Sequence, residues 1–349
     1  MRLQKIKEKM KQSNLEGLVI TDMKNIFYLT GFSGTAGTVF LTKDEDYFMT
    51  DDRYIDFAKS VVGNMNVFST RSAFSEIAKL AKNIDRIGFE DNLDFATYQN
   101  FSSLISQKLI PTHEFFMEFR QIKDLSEIKV IRKACEITDL AFEAVLKFIE
   151  PGKSEIEVAN FLDFKMRELG ASGTSFETIV ASGVRSSLPH GVASHKLIEN
   201  GEAITMDFGC YYNFYASDMT RTVFLGKPNS EMKEIYEVVR LANQALIDQS
   251  KATLSFADFD RIPRNIIELA GFGDNFNHGI GHGFGLDIHE VPYFSQKMTD
   301  QYLQKNMIVT DEPGIYLSGF GGVRIEDDVL ILENGCEVLT KSPKELIVI

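Results

Sequence analysis

With 349 residues, 44% hydrophobic and 25% charged, the chain is long enough for a smaller and a larger soluble domain. Its net charge of −13 is uneven: residues through Ile122 hold 15 basic and 16 acidic side chains, whereas those from Lys123 onward hold 22 and 34. An acidic second part argues against a nucleic-acid partner, and no apolar run approaches the ~20 residues of a membrane span.

The N-terminal segment Met1–Met10 is basic with no apolar run behind it, and reads as an amphipathic helix, not a signal peptide. Up to about residue 122 short strands alternate with helices, the pattern of an α/β domain. Gly17–Thr21, Thr38–Thr42 and Asp46–Thr50 read as strands, and Phe74–Lys82 and Phe95–Leu109 as helices. The glycine-rich stretch Gly31–Gly37 lacks both the Gly-Lys-Ser/Thr ending of a phosphate loop and dinucleotide-site spacing, so a strand-connecting turn is expected. Asp51-Asp52-Arg53-Tyr54 follows a strand end, where it either faces a neighbouring active site or caps a helix.

The character changes near Glu118–Lys123, which sets the expected domains at 1–122 and 123–349. Leu125–Ile149 reads as a long helix with Ser126 as N-cap and Pro151-Gly152 as its stop. Ser154 with Glu157 forms a capping box opening a helix to Leu169. Strands dominate from Phe176, interrupted by helices near Glu231–Gln249 and Phe256–Ala270. Cys135, Cys210 and Cys336 are isolated from one another in sequence, which suits a reducing, cytoplasmic location better than a disulfide framework.

Chemistry concentrates in the second part. The runs Ile204–Phe208 and Ser217–Phe224 form a hairpin; if it turns at Tyr212-Asn213, Asp207 and Asp218 face each other directly. Two carboxylates so placed repel unless a cation lies between them. Met307–Glu312 and Gly322–Asp328 repeat the logic, with Glu312 and Glu326 equidistant from Gly319. Two hairpins, each offering a carboxylate pair, supply opposite sides of a dinuclear site and imply an internal pseudo-two-fold symmetry. In His278-Gly-Ile-Gly-His282 the alternating glycines argue against a helix, and read with period two both histidines share one face of a strand. Either can hold metal while the other contacts substrate. Four carboxylates and an imidazole form a hard donor set suited to Mn²⁺, with Co²⁺ and Zn²⁺ also acceptable.

Together with Ser187–Gly191, Met206–Gly209, Asp287–Pro292, Glu312–Tyr316 and Gly322–Asp327, these segments resemble the proline-specific pita-bread metallopeptidases, the family of aminopeptidase P and prolidase. Gly31–Gly34 and Thr50–Tyr54 likewise resemble the creatinase/prolidase N-terminal domain. The resemblance implies an α/β N-terminal domain, a pita-bread α+β catalytic domain, two divalent metal ions and a homodimer. Asp207 would hold one metal, His282 and Glu312 the other, and Asp218 and Glu326 would bridge both. Glu312 would also take a proton from the bridging water and pass it to the leaving nitrogen. His190 and His289 would bind substrate and stabilise the tetrahedral intermediate, while His278, Tyr316 and Arg324 would line or order the site.

Implied substrates are peptides with proline second. Aminopeptidase P is the leading expectation, prolidase the alternative, and a non-catalytic binding module on the same fold a remote one, disfavoured because no ligand is missing. Asp311, adjacent to Glu312, is expected on the opposite strand face and therefore not a ligand. Asp287 stands where Glu is more usual in the family, and His195 where Asp is common.

Overall fold

The structure, a computed structural model, describes residues 2–349. The chain divides into two compact units, one ending at Glu118 and the other running Phe119–Ile349.

The first unit is built on strands β1 (Gly17–Ile20), β2 (Thr38–Thr42), β3 (Asp46–Thr50), β4 (Asn66–Ser69), β5 (Arg86–Glu90) and β6 (Lys108–Thr112), ordered β4-β3-β2-β1-β5-β6. β1–β2 and β2–β3 are antiparallel and the remaining pairs parallel. Helices α1 (Arg2–Gln12), α2 (Met23–Thr30), α3 (Ile55–Val61), α4 (Ala73–Leu80) and α5 (Phe95–Leu104) accompany the sheet, and the short α6 (Met117–Arg120) stands at the division. Val19, Phe40, Ile77, Ile87 and Phe101 share one buried core. The helix expected to reach Leu109 stops at Leu104, because Ile105 is extended and Lys108–Thr112 pairs along β5. Gly31 closes α2 in the left-handed conformation (φ 77°), so this glycine ends a helix and cradles no phosphate. Asp51 is held by Arg53 at 2.8 Å.

The second unit repeats one plan twice: two helices, then a long hairpin. α7 (Leu125–Val145) and α8 (Glu155–Glu168) precede β7 (Gly173–Thr174), β8 (Ile179–Ser182), β9 (Ala203–Phe208), β10 (Cys210–Tyr212), β11 (Tyr215–Ala216) and β12 (Met219–Phe224). α9 (Ser230–Gln249) and α10 (Phe256–Leu269) precede β13 (His282–Gly283), β14 (Glu290–Tyr293), β15 (Ile308–Asp311), β16 (Gly314–Leu317), β17 (Gly321–Arg324), β18 (Asp327–Leu332) and β19 (Gly335–Val338). The principal sheets are β12-β9-β8 and β14-β13-β15-β18-β19. Each helix pair packs on its own sheet through a separate core, one including Ala134, Phe142, Leu162, Ile204 and Met206, the other Val239, Phe259, Val309 and Val329. This is the pseudo-two-fold α+β arrangement that the paired hairpins predict.

Local signals set the helix starts. α7 is capped by Asp124, not Ser126: Asp124 accepts from Ser126 and Glu127 backbone N–H groups, and the Glu127 carboxylate returns the bond. An ionised carboxylate is the better acceptor at a positive helix end. α8 starts on the expected Ser154–Glu157 box. Among the described residues, no helix is long and apolar enough to cross a membrane.

Candidate metal centre and active site

The second hairpin is continuous in register on both sides of a break at Glu312–Pro313. β15 pairs β18 with Asp311 opposite Asp327, and β16 pairs β17 with Gly314 opposite Arg324. Glu312 and Glu326 therefore occupy equivalent positions across the hairpin, with Gly319 (φ 76°) at its tip, as their spacing predicts. Their backbones turn away from the ladder: the Glu312 N–H donates to Ile280 O (2.9 Å), and the Glu326 N–H to Thr220 O (3.0 Å). The second bond joins the two halves of the unit at the site itself.

The first hairpin departs from expectation. It turns one position later, at Asn213-Phe214, both with positive φ, and Thr220 rather than Asp218 stands opposite Asp207. An even offset keeps Asp207 and Asp218 on one face, so they still converge. Gly209 makes the convergence possible, since a Cβ there would lie 1.9 Å from the Ser217 carbonyl oxygen. Carboxylate oxygens of Asp207, Asp218 and Glu326 lie within 4.8 Å of one another. The expected strand through His278–Phe284 is confined to His282–Gly283, where the pairing with β14 is itself broken by a register shift; a Cβ at Gly281 or Gly283 would strike the Thr310 or Val291 carbonyl, so these glycines admit the neighbouring backbone. His282 Nε2 lies 3.6 Å from Glu312 Oε1 and 3.8 Å from Asp218 Oδ2.

These groups open on a cavity of about 470 Å³ that also takes in His190, His278, His289 and Arg324. Tyr316 is buried behind them, bonding His278 Nε2 and Arg324 Nη1 at 2.8 Å each. The His289 and His282 rings meet edge to face, with centroids 4.3 Å apart. His195 is exposed and does not line this cavity. Asp311 is fully buried on the opposite face of its strand, where the Asn243 amide donates to it.

Two threonines that the sequence reading missed order the carboxylates. Thr220 Oγ1 donates to Glu326 at 2.6 Å and accepts from Arg324 Nε at 3.0 Å. Thr310 Oγ1 donates to Glu312 at 3.1 Å and accepts from the His282 backbone N–H at 3.0 Å. Each lies two residues from a ligand candidate, so strand alternation alone marks them.

Crowding of buried carboxylates raises their proton affinity. Asp218 is pushed well up by burial and by Glu326 and Asp207, and Glu326 by burial and by Glu312 and Asp207. Burial, with Asp207 added against the pull of Arg324, raises Glu312 to about 7. Burial also holds the imidazoles neutral: His282 falls to about 4, helped by His289, and His278 to about 4, helped by Arg324. A cluster of buried carboxylates beside neutral imidazoles is the electrostatic complement of divalent cations. Asp207 Oδ1 is buried without a hydrogen-bond partner, as a coordinating oxygen would be. The residues present therefore fit a pair of hard metal ions.

Fold and site together define a metal-dependent hydrolase. Residues 129–333 match metallopeptidase family M24, and residues 2–122 match the creatinase/prolidase N-terminal domain. The chain belongs to metallopeptidase family M24, with the pita-bread fold. It is 43% identical to a solved structure described as Xaa-Pro dipeptidase from Bacillus anthracis, with a TM-score of 0.97 over 99% of this chain and 98% of that one. A Pyrococcus furiosus protein named Xaa-Pro dipeptidase is 39% identical over 99% of both chains. The structure of an X-Pro aminopeptidase from Thermotoga maritima is 34% identical, with a TM-score of 0.91 over 96% of this chain and 98% of that one.

Proposed function

We propose that this protein is an Xaa-Pro aminopeptidase, releasing the N-terminal residue from peptides that begin Xaa-Pro. Asp207, Asp218, His282, Glu312 and Glu326 would hold two divalent ions, Mn²⁺ for preference, and such ions supply Lewis-acid activation of water and of the scissile carbonyl.

The remaining chemistry belongs to the side chains. Glu312, which lines the cavity beside the other ligand candidates, takes a proton from the attacking water. It returns that proton to the proline nitrogen, which must be protonated to leave as a secondary amine. His190 and His289, both exposed to the cavity, donate hydrogen bonds to the carbonyl oxygen as negative charge develops there. Tyr316 fixes His278 and Arg324 through its hydroxyl. Arg324 in turn holds Asp207 Oδ2, leaving Oδ1 buried without a hydrogen-bond partner.

The preference for longer peptides rests on Arg324. Among the described residues lining the cavity it is the one Lys or Arg, and four of its five N–H groups are engaged, by Thr220, Tyr316, Pro189 and Asp207. A dipeptidase must grip the free carboxylate of the proline, ordinarily with a cationic donor. A cavity whose one cationic side chain is largely committed to protein partners suits a chain that continues past proline. Prolidase is the second reading, favoured by the names of the Bacillus anthracis and Pyrococcus furiosus relatives. We take the enzyme to be cytoplasmic, in keeping with its free cysteines, and homodimeric as its family resemblance implies.

Hydrolysis of Arg-Pro-Pro and Ala-Pro by the Mn²⁺-loaded protein tests the reading. Tripeptide cleavage with little dipeptide cleavage supports it; cleavage of the dipeptide alone replaces it with prolidase.

A further inference from the structure

His190 reaches the cavity on a loop that leaves β8 at Ser182 and passes through a short helical turn, Gly183–Ser187, before it ends at Ser194. The inner side of this loop meets the second hairpin. Ser186 Oγ accepts from the Gly322 N–H at 2.8 Å, and the Pro189 carbonyl accepts from Arg324 Nη1 at 3.2 Å. His190 itself is exposed, and among the described residues its ring has no hydrogen-bond partner. Its aim is therefore set by the backbone that carries it.

Behind the loop one carboxylate gathers both ends. Glu155, the first residue of α8, is fully buried. Its Oε1 accepts from the Ser182 N–H at 2.7 Å and the Ser182 hydroxyl at 3.0 Å, where the loop begins. Its Oε2 accepts from the Ser194 N–H at 3.1 Å and the Ser194 hydroxyl at 2.6 Å, where the loop ends. Arg185 Nε lies between the two oxygens, 2.9 Å from Oε2 and 3.2 Å from Oε1. The same guanidinium donates from Nη2 to the Val192 carbonyl at 2.6 Å, two residues past His190. The α8 backbone also holds the exit end, through the Ile156 N–H to Ser194 O at 3.0 Å. The carboxylate, with Arg185 and Lys196 beside it, ties the entry end to that anchor. Nor is it spent on its own helix, because α8 is capped by Ser154 with Glu157.

We propose that Glu155 is a positioning residue for catalysis: by holding Ser182, Arg185 and Ser194 together it fixes the loop that aims His190 at the substrate carbonyl. Glu155 does not line the cavity, so its influence passes through the loop. The inference rests on the substrate-binding role proposed for His190, and the measurements below separate the two.

Five donors converge on the two Glu155 oxygens, and two of them are backbone N–H groups that cannot act as acceptors. Glu155→Gln keeps the shape but puts an NH₂ group where one oxygen stood. Whichever way the amide turns, the Ser182 or the Ser194 N–H loses its acceptor. Misplacing a reacting group by about 1 Å costs roughly 100-fold in rate, so kcat of the Mn²⁺-loaded full chain should fall by roughly 10–100-fold. The substrate is whichever of Arg-Pro-Pro and Ala-Pro the wild type cleaves. Calorimetric Mn²⁺ affinity should be unchanged.

The decisive comparison adds His190→Ala, alone and combined with Glu155→Gln. A residue that acts through His190 has little left to disturb once the imidazole is gone, so the two losses should be strongly non-additive. Additive losses overturn the proposal. So do wild-type kcat in Glu155→Gln, an equal fall in Mn²⁺ affinity, or a His190→Ala variant as active as wild type. If Glu155→Gln does not fold, Arg185→Met carries the same two expectations, since that side chain is 32% exposed, and wild-type kcat there overturns the proposal.

Amide hydrogen exchange of the metal-free protein follows the clamp with no substrate present. Residues 183–194 should exchange faster in Glu155→Gln while α9 keeps its wild-type rates, and unchanged exchange in the loop refutes the clamp. A wild type that cleaves neither peptide would remove the proposed activity, and the exchange result would still decide whether Glu155 holds the loop.

Discussion

Arg324 Nη2 lies 2.6 Å from Asp207 Oδ2, in an ion pair whose side chains are only 4% and 14% exposed. Geometry of this kind directs a carboxylate as well as neutralising it. The guanidinium occupies one oxygen of Asp207 and leaves the other buried without a hydrogen-bond partner. The same guanidinium reaches Thr220, which bonds Glu326. One arginine therefore orders two of the five ligand candidates. Its own proton affinity is raised despite the opposing effect of burial, by Tyr316, Asp207 and Glu326, so it stays charged throughout.

Replacing Arg324 by Met should lower kcat/KM by roughly 100-fold, the upper end for a residue that orients metal ligands. Arg324→Lys should recover only part of this, since an ammonium cannot reproduce a planar fork that reaches four partners. Equal activity in the Met variant would show that Asp207 needs no orienting partner. Kinetics with Mn²⁺ in excess distinguishes orientation from simple loss of metal.

Metal affinity should rise with pH through the neutral range. In the metal-free protein the Glu312 carboxyl titrates near 7, and Asp218 and Glu326 are also raised by burial and mutual repulsion. Below pH 7 Glu312 is mostly protonated, and a metal must displace that proton. Above it, this ligand no longer competes. His282, lowered to about 4, is already neutral from pH 5 upward and adds nothing to the slope. Calorimetric Mn²⁺ titrations at pH 6 and pH 8 should therefore show tighter binding at pH 8 and proton release at pH 6. Tighter binding at pH 6 would contradict this account.

Chelation should abolish hydrolysis and also soften the fold. Without metal ions, buried carboxylates from both hairpins crowd one another with only Arg324 to offset their charge. Metal at about 100 times its Kd adds ~2.7 kcal/mol by mass action, or roughly 5–10 °C in melting temperature for a domain of this size. Melting curves with EDTA, then with Mn²⁺ restored, test both magnitude and reversibility.

How far the site could be read from sequence depended on how regular each hairpin is. Glu312 and Glu326 were legible because one register runs unbroken through both halves of a hairpin centred on Gly319. Asp207 and Asp218 were misregistered because their hairpin turns at Asn213-Phe214, a dipeptide without glycine that nonetheless adopts positive φ at both positions. The error was even in residue count, so the shared face survived it. Asp124 was passed over as a cap because Ser126 is equally good by composition, and only the reciprocal bond with Glu127 separates them. Buried charge networks were not legible at all. Nothing local to Arg120 announces partners more than 160 positions away.

That network makes its own prediction. Arg120 donates to Asp287 at 2.6 Å and to Glu290, with Arg120 and Glu290 almost wholly buried. The two carboxylates bracket His289, so the arginine clamps the segment that presents this imidazole. Lys123 Nζ, 3.9 Å from Glu290, is too distant to take over the contact. Arg120→Met should cost about 3–5 kcal/mol, as breaking a buried pair from one side does. In the folded fraction kcat should fall while Mn²⁺ affinity holds, because His289 is proposed to donate to the substrate and not to the metal. Denaturant melts and a KM-against-kcat comparison check the two parts separately.

Gly209 tests whether close backbone approach, and not carboxylate chemistry alone, builds the centre. It lies between β9 and β10, two residues after Asp207, and an added Cβ would meet the Ser217 carbonyl oxygen at 1.9 Å and Ser175 Oγ at 2.6 Å. A carbonyl cannot rotate aside as a flexible side chain can, so the strands must separate. Overpacking in a close-packed region costs about 1–3 kcal/mol, and contact with backbone puts Gly209→Ala at the upper end. Because Ser217 immediately precedes Asp218, the separation also pulls Asp218 from Asp207. Gly209→Ala should therefore weaken Mn²⁺ binding as well as lower the melting temperature. Gly63→Ala serves as a control, since a Cβ there meets nothing within 4 Å. Should Gly209→Ala lose stability yet bind Mn²⁺ as wild type does, convergence of the two aspartates would not depend on this strand contact.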